Sequence, residues 1–216
     1  MSKVLLTLII AAALCVLPAW ATQGPRDQKA AGSAARPAAQ ILFVGSSIFH
    51  RWTNLATQMA PLPIVNRAFD GAQTDDMLRG FASFVLPDRP RVIVYYCGSN
   101  DVDAGEPAEA IVDRIQQFFG RVATALPDTQ MIFVSINRAP EKKARWDVVD
   151  LVNRRVEAYA ATTPRLKYVD VNPVLFNPDG TPRAELYLPD QLHFRAAAYE
   201  EFTRVLKPAL TQAFAR

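Results

Sequence analysis

Five apolar runs of strand length recur along this chain, and none shows the alternation of polar and apolar residues that is typical of a half-exposed sheet. They cover residues 40–44, 62–65, 91–96, 130–136 and 166–171. Strands without alternation are usually covered on both faces, as in a parallel sheet. Segments with apolar residues every three to four positions lie between the runs. This succession of strands and helices predicts a doubly wound α/β domain.

The clearest helix start follows the second run. Thr74 is a suitable N-cap, and Asp75 and Asp76 follow it in the first turn, where the helix dipole favours anions. Apolar residues continue at helical spacing as far as Val85. The other helices are predicted over 107–125, about 146–162 and 195–214.

The first 21 residues have the layout of a secretory signal peptide. A basic start precedes the apolar run VLLTLIIAAALCVLPAWA, which ends in small residues. We expect cleavage after Ala21 and export to the periplasm or the extracellular space, with no membrane span left, and an uncleaved N-terminal anchor is the alternative. Residues 22–39 are rich in Ala, Gly, Gln, Pro and charges, and are expected to form a disordered linker. Residues 40–216 are long enough for one well-packed domain.

Composition limits the kinds of site that this chain carries. Cleavage leaves one cysteine, Cys97, which cannot form an internal disulfide and is predicted to be a small packed side chain. The formal net charge is only +3, with basic residues scattered rather than striped with aromatics, so nucleic acid is not an expected partner. The run EKKARW at 141–146 is predicted to be a solvated loop edge, with a substrate-phosphate clamp as the alternative. Asp101 and Asp103 suggest a metal site, but two histidines and no acidic cluster of ligand spacing argue against one.

Residues that follow the predicted strands carry the most information about function, because doubly wound sheets bind ligands beyond the carboxyl ends of their strands. The segments in question are Gly45-Ser46-Ser47, then 66–74, 98–101 and 137–145, and finally the segment that ends in DQLH at 190–193.

Only two histidines, His50 and His193, are available as the base that a serine nucleophile needs. His50 is three residues after Ser47, and its ring would have to fold back awkwardly within one short helix. His193 has Asp190 three residues before it, so the carboxylate can hold one ring nitrogen while the other faces a serine. Each residue alone also has a structural interpretation: Ser46 or Ser47 as a helix N-cap, and His193 as a partly buried side chain bonded to a backbone carbonyl.

Three groups are suited to hold an oxyanion. Ser47 would carry its own backbone N–H at a helix start. Gly71 allows its N–H to approach a substrate closely, and the side-chain amide of Asn100 is a neutral donor. The structural alternatives are an ordinary turn at 70–71 and a strand-to-loop cap at 100–101.

Four blocks, taken together and in order, resemble the SGNH or GDSL-type esterase/lipase hydrolases. They are VGSSI at 44–48, NRAFDGAQ at 66–73, CGSND at 97–101 and DQLH at 190–193. The similarity spans nearly all of residues 40–210 and looks closest to a bacterial subgroup with the pattern GSS-I-x-x-W, which ends here at Trp52. The resemblance implies a single-domain, flavodoxin-like three-layer α/β/α sandwich with a mainly parallel sheet, and neither a cofactor nor a metal ion.

Carried over residue by residue, the resemblance implies Ser47 as nucleophile, His193 as base and Asp190 as the carboxylate that orients it. The implied oxyanion donors are the Ser47 N–H, the Gly71 N–H and the Asn100 side chain. The implied activity is hydrolysis of carboxylic esters with short acyl or acetyl groups, on a carbohydrate, a lipid or another small molecule. Acyl transfer to a sugar hydroxyl and non-catalytic binding of a glycan or phosphate are the alternatives. The residues expected to line the acyl pocket are Phe49, Phe69, Val102 and Leu192.

Overall fold

The computed structural model describes residues 40–216. The predicted signal peptide at 1–21 and the predicted linker at 22–39 lie outside this part of the chain, and both stay predictions. Within the described part, no helix combines the length and the apolar character needed to cross a membrane.

A five-stranded, fully parallel sheet forms the centre of residues 40–216. Its strands are β1 (Ile41–Gly45), β2 (Ile64–Asn66), β3 (Val92–Tyr96), β4 (Gln130–Val134) and β5 (Leu166–Val169), in the order β2-β1-β3-β4-β5. Each of the five predicted runs overlaps one strand, and the order is that of the flavodoxin-like doubly wound folds. The predicted fold class is confirmed.

Eight α-helices connect or follow the strands of the described chain. They are α1 (Ser47–His50), α2 (Leu55–Met59), α3 (Thr74–Arg79), α4 (Phe81–Phe84), α5 (Ser99–Asp103), α6 (Ala108–Ala125), α7 (Trp146–Thr162) and α8 (Ala196–Phe214). Short 3-10 helices lie at Pro140–Arg145, Asn172–Leu175 and Ala184–Leu186. The three long predicted helices correspond to α6, α7 and α8.

The predicted helix from Thr74 to Val85 is wrong in two details. Gln73, not Thr74, is the N-cap of α3, and its N–H donates to a carboxylate oxygen of Asp76 at 2.9 Å. The helix also ends at Gly80 and a separate one-turn helix follows. A Cβ built on Gly80 would lie 1.7 Å from the ring of Phe84, so this side chain packs against the break.

Both faces of the sheet are buried, which explains why the strand sequences do not alternate. One layer of the core contains side chains of α3, α4, α6 and α7, and the other contains those of α1, α2 and α8. Neighbouring residues of one strand point into opposite layers: Leu42 into the first and Phe43 into the second. Full burial of one such side chain contributes about 1.5–3 kcal/mol to folding.

Candidate active site

The turn after β1 depends on a glycine. Gly45 has φ +142°, and a Cβ built on it would lie 1.8 Å from the carbonyl oxygen of Tyr96 on β3. The N–H of Ser46 donates to the same carbonyl at 3.0 Å. Ser47 therefore begins α1 at the carboxyl end of the sheet, at the point where the strand order reverses between β1 and β3.

The two serines of this turn differ in what their hydroxyls do. Ser46 occupies the N-cap position of α1, but its side chain makes no capping hydrogen bond, and it is 1% exposed. The Ser47 Oγ lies 3.0 Å from Nε2 of His193. The structure thus associates the histidine with Ser47, the serine that the sequence blocks single out, and not with Ser46.

Ser47, His193 and Asp190 form one continuous chain of hydrogen bonds. Nδ1 of His193 lies 2.8 Å from a carboxylate oxygen of Asp190. A carboxylate only accepts, so in a neutral imidazole Nδ1 carries the proton and Nε2 is left to accept from the Ser47 hydroxyl. The histidine side chain is 13% exposed and Ser47 is 8% exposed, so the pair is largely buried but keeps some contact with solvent.

The Asp190 carboxylate fixes both the backbone of the 190–193 loop and the imidazole ring of His193. Its Oδ1 accepts the N–H groups of Leu192 and His193 at 3.0 and 2.9 Å, while Oδ2 accepts the imidazole N–H. Desolvation works to raise the pKa of Asp190, but these hydrogen bonds from the His193 side chain and the backbone outweigh it and lower the pKa to about 2. Asp190 is therefore an anion throughout the neutral range.

His50, the second histidine, makes its hydrogen bond away from Ser47. Nδ1 of His50 donates to the carbonyl of Ala68 at 3.0 Å, and the residue is exposed. It connects α1 to the loop that follows β2, in agreement with the expectation that it does not serve Ser47.

Neither the Ser47 N–H, at the start of α1, nor the Gly71 N–H, in the loop after β2, donates to an acceptor within the described residues. Gly71 has φ +76°, a conformation that glycine adopts without strain. The Asn100 side chain donates to the carbonyl of Ala72 at 2.8 Å. One amide hydrogen of Asn100 is used in this bond, and the other remains for a ligand.

Ion pairs and hydrogen bonds hold the 66–73 loop against the nucleophile turn. The guanidinium of Arg51 makes two hydrogen bonds to the Asp70 carboxylate, at 3.2 and 3.1 Å, and they lower the pKa of Asp70. The Asn66 side chain donates to the Phe49 carbonyl at 2.8 Å, and the Phe69 N–H donates to the carbonyl of Gly45 at 3.1 Å. Together with the bond from His50 to Ala68, these contacts attach the loop that carries Gly71 at four points.

A buried carboxylate that we did not predict as part of the site joins two of its loops. Asp101, 1% exposed, accepts the Thr74 N–H at 3.1 Å, the Thr74 hydroxyl at 2.5 Å and the Arg114 guanidinium at 3.2 Å. The hydroxyl of Thr74 is thus engaged here rather than in a helix cap. In the sequence, the one sign of a role for Asp101 at the site is its position directly after Asn100. Its partner Thr74 is 27 positions away, so the sequence does not reveal their contact.

The interpretation of 141–146 as a solvated edge is wrong for Lys142. Its side chain is 3% exposed, and its ammonium lies 3.1 Å from carboxylate oxygens of both Asp103 and Glu141. Lys142 lies within the Pro140–Arg145 3-10 helix and points inward, while the next residue, Lys143, remains exposed.

Some residues expected to line an acyl pocket belong to the core. Phe49 and Val102 are fully buried and offer no surface to an acyl group, whereas Phe69 is 39% exposed and Leu192 is partly exposed. Cys97 is fully buried, as predicted: burial raises the pKa of its thiol, which donates to the Ala72 carbonyl.

The described residues contain no group of three or more His, Cys, Asp or Glu side chains placed to hold a metal ion. The two aspartates that suggested a metal are instead paired with cations. Asp101 binds Arg114, and Asp103 binds Lys142.

Comparison with known proteins finds one relative by sequence and several similar structures. Platelet-activating factor acetylhydrolase IB subunit alpha1 from Pongo abelii is 25% identical over 189 residues, which cover 82% of this chain and 78% of that protein. A GDSL-like lipase structure from Bacteroides thetaiotaomicron has a TM-score of 0.72 at 20% identity, covering 83% of this chain and 92% of that one. An acetyl-xylooligosaccharide esterase from Geobacillus Stearmophilus has a TM-score of 0.64 at 17% identity, covering 83% of this chain and 95% of that one.

At such low identities the two structures are evidence for the fold alone. The family assignment comes from the sequence, because the model of the GDSL-like Lipase/Acylhydrolase family matches residues 22–201, which is most of the chain. The four sequence blocks and the parallel sheet agree with that match. This protein belongs to the GDSL-like lipase/acylhydrolase family.

Proposed function

We propose that this protein hydrolyses carboxylic esters of short acyl groups through an acyl-serine intermediate on Ser47. The observation that carries the proposal is the hydrogen-bond chain from Ser47 Oγ to His193 Nε2 and from His193 Nδ1 to Asp190, at 3.0 and 2.8 Å. A serine hydroxyl is a weak nucleophile until a base accepts its proton, and this chain supplies that base.

In the first step, Ser47 Oγ attacks the acyl carbon and His193 Nε2 takes the hydroxyl proton. The imidazolium that forms is stabilised by the Asp190 carboxylate, which stays ionised because its pKa is about 2. His193 then returns the proton to the leaving alkoxide, so an alcohol departs and the acyl group stays on Ser47.

The negative charge that develops on the carbonyl oxygen needs donors already in place. The N–H groups of Ser47 and Gly71 and the Asn100 amide are the donors that we assign to it. The bond from Asn100 to the Ala72 carbonyl supports this role, because it fixes the amide before the substrate arrives and avoids reorganisation during the reaction.

In the second step, water replaces the alcohol. His193 accepts a proton from the water as its oxygen attacks the acyl carbon, and the tetrahedral intermediate uses the same three donors. Collapse of this intermediate breaks the bond to Ser47 Oγ, which recovers the proton from His193. The products are a carboxylic acid and the free enzyme.

A short acyl group is favoured by the surroundings of Ser47. Two of the four side chains expected to line an acyl pocket, Phe49 and Val102, are fully buried and offer no apolar wall to an acyl chain. A long apolar acyl chain needs an apolar channel to bury it. The similar proteins named as an acetylhydrolase and an acetyl-xylooligosaccharide esterase also support an acetyl-sized group.

The test is hydrolysis of p-nitrophenyl esters from acetate to palmitate by the wild-type protein, Ser47→Ala and Ser46→Ala. We expect turnover to be greatest for acetate or another short acyl group, to be lost in Ser47→Ala and to be largely kept in Ser46→Ala. Ser46 is the matched control because it is also buried and its hydroxyl makes no capping bond.

Two results would redirect the proposal. A folded wild-type protein that turns over no ester and resists a fluorophosphonate probe would be a binding protein. Preferential formation of an acetyl sugar, rather than acetate, when sugar and ester are both present would identify an acyltransferase.

A further inference from the structure

Lys142 is a buried cation on the 3-10 helix that follows β4. Its side chain is 3% exposed, and its only ion-pair partners among the described residues are Asp103 and Glu141. A lysine is almost never this buried unless its charge is paired. A surface lysine keeps its ammonium in water, as Lys143 does one position later. The burial of Lys142 therefore requires a specific arrangement of the chain around it.

The first partner connects Lys142 to the oxyanion side of the site. Asp103 is the last residue of α5, and Asn100 lies one turn before it on the same short helix. A second bond runs in parallel, from the Arg145 guanidinium to the carbonyl of Glu106 at 3.3 Å, just beyond that helix. The 140–145 segment thus holds α5 through its last residue and through the loop that follows it.

The same segment also contacts the loop of the base. The N–H of Glu141 donates to the carbonyl of Gln191 at 3.3 Å, and Gln191 lies between Asp190 and His193 with φ +57°. Glu141 is also the second carboxylate on Lys142. The ammonium is therefore at the junction between the helix of Asn100 and the loop of His193.

We propose that Lys142 is a positioning residue that keeps Asn100 and His193 at the spacing needed to act on one substrate carbonyl. This inference rests on the proposed function, because it assigns Asn100 and His193 their roles in ester hydrolysis. Lys142 contacts neither residue directly. It acts through Asp103 on one side and through the backbone of Glu141 on the other, and loss of its charge releases both.

The test compares Lys142→Met with Lys143→Met in the full chain. Both variants replace an ammonium by a methyl thioether in the same helical turn, and only the first removes the buried ion pairs. We expect Lys142→Met to lower kcat for p-nitrophenyl acetate by about tenfold or more with KM little changed, since small misplacements of reacting groups are costly. Lys143→Met is expected to keep the wild-type kcat.

A second readout does not depend on turnover. The side-chain amide resonances of Asn100, assigned by their loss in Asn100→Ala, and the backbone amide resonance of Glu141 are expected to move in Lys142→Met and to stay in place in Lys143→Met. Wild-type kcat in a folded Lys142→Met variant, or unmoved resonances, would overturn the proposal.

Asp103→Asn keeps the test decisive if Lys142→Met does not fold. The Asp103 side chain is 61% exposed and Lys142 retains Glu141 in this variant, so the fold is expected to survive. A lowered kcat with unchanged KM supports the proposal, and wild-type kcat contradicts it. If the wild-type protein hydrolyses no ester, the proposed function fails, and the resonances of Asn100 and Glu141 still decide whether Lys142 holds the two loops.

Discussion

Both carboxylate oxygens of Asp101 accept the backbone N–H of Thr74, each at 3.1 Å. Thr74 is the first residue of α3, which follows β2, and Asp101 lies in α5, which follows β3. Asn100 directly precedes Asp101, and Gly71 lies three residues before Thr74. One buried carboxylate therefore connects the segments that carry these two proposed oxyanion donors.

Asp101→Asn is expected to destabilise the fold by about 3–5 kcal/mol, because one partner of a buried ionic network is lost and Arg114 remains. The Asn amide would also face the N–H of Thr74 with a donor of its own. Urea denaturation measures the change. Asp113→Asn, an exposed site next to Arg114, is the control and should change the free energy of unfolding by less than about 0.5 kcal/mol. Equal stability of the two variants would exclude an important role for the Asp101 network.

Asn100→Ala is expected to lower turnover about 10²–10³-fold, the usual cost of removing one oxyanion donor. The protein should still fold, since Asn100 is only partly buried. Steady-state kinetics together with circular dichroism test both statements. Asn177→Ala removes the same amide from an exposed turn and should leave turnover unchanged. Wild-type turnover in Asn100→Ala would remove this residue from the mechanism.

The stability of Asp190→Asn relative to wild type is expected to depend on pH. The pKa of Asp190 is lowered from 3.8 to about 2 in the folded protein, so the carboxylate stabilises the fold above its unfolded-state pKa. This contribution is lost as the pH falls through the folded-state value. Wild type should therefore be the more stable protein at pH 7, and the difference should disappear between about pH 4 and pH 2.

Thermal or urea unfolding of both proteins across this pH range makes the measurement. Asp128→Asn, whose side chain is 97% exposed, serves as the control and should show little difference from wild type at any pH. A difference between wild type and Asp190→Asn that persists at pH 2 would contradict the hydrogen bonding described for Asp190.

Gly45→Ala is expected to destabilise the protein by at least about 3 kcal/mol or to prevent folding, since both φ and the Tyr96 carbonyl oppose a Cβ. Gly120→Ala is the matched change at a site within α6 where a Cβ meets nothing within 4 Å. That variant should be more stable than wild type by about 0.5–1 kcal/mol. Thermal unfolding of the two variants compares them, and a well-folded Gly45→Ala protein would show that the turn adapts.

Local patterns in the sequence predict the sheet and the residues at its carboxyl edge. The lack of alternation in the strand sequences indicates a sheet that is buried on both faces. The topology of such a sheet brings Ser47 and His193 to one edge, although 146 positions separate them. Asp190 is predicted from its position three residues before His193, because one turn of the chain brings residues at that spacing into contact.

The contacts that were not predicted all depend on tertiary structure. Lys142 looks like any residue of a charged run, and its burial becomes visible only when α5 lies beside it. Thr74 has the chemistry of a helix cap, but Asp101 competes for its hydroxyl and Gln73 takes the cap position. Gly80 is the C-cap of α3, and the Phe84 ring occupies the space that a Cβ at this position would need, a contact that no pattern of apolar residues reveals.

The nucleophile helix is held by the last helix of the fold, and this has a consequence for biosynthesis. The hydroxyl of Tyr199 on α8 donates to the Ile48 carbonyl at 2.9 Å, and its ring stacks on Trp52 with centroids 5.1 Å apart. Ser47 is synthesised early, but His193 and Tyr199 cannot contact its helix until the residues near position 200 have left the ribosome. Nascent and truncated chains that lack α8 would therefore carry Ser47 on a helix without the hydrogen bond and the ring stacking of Tyr199.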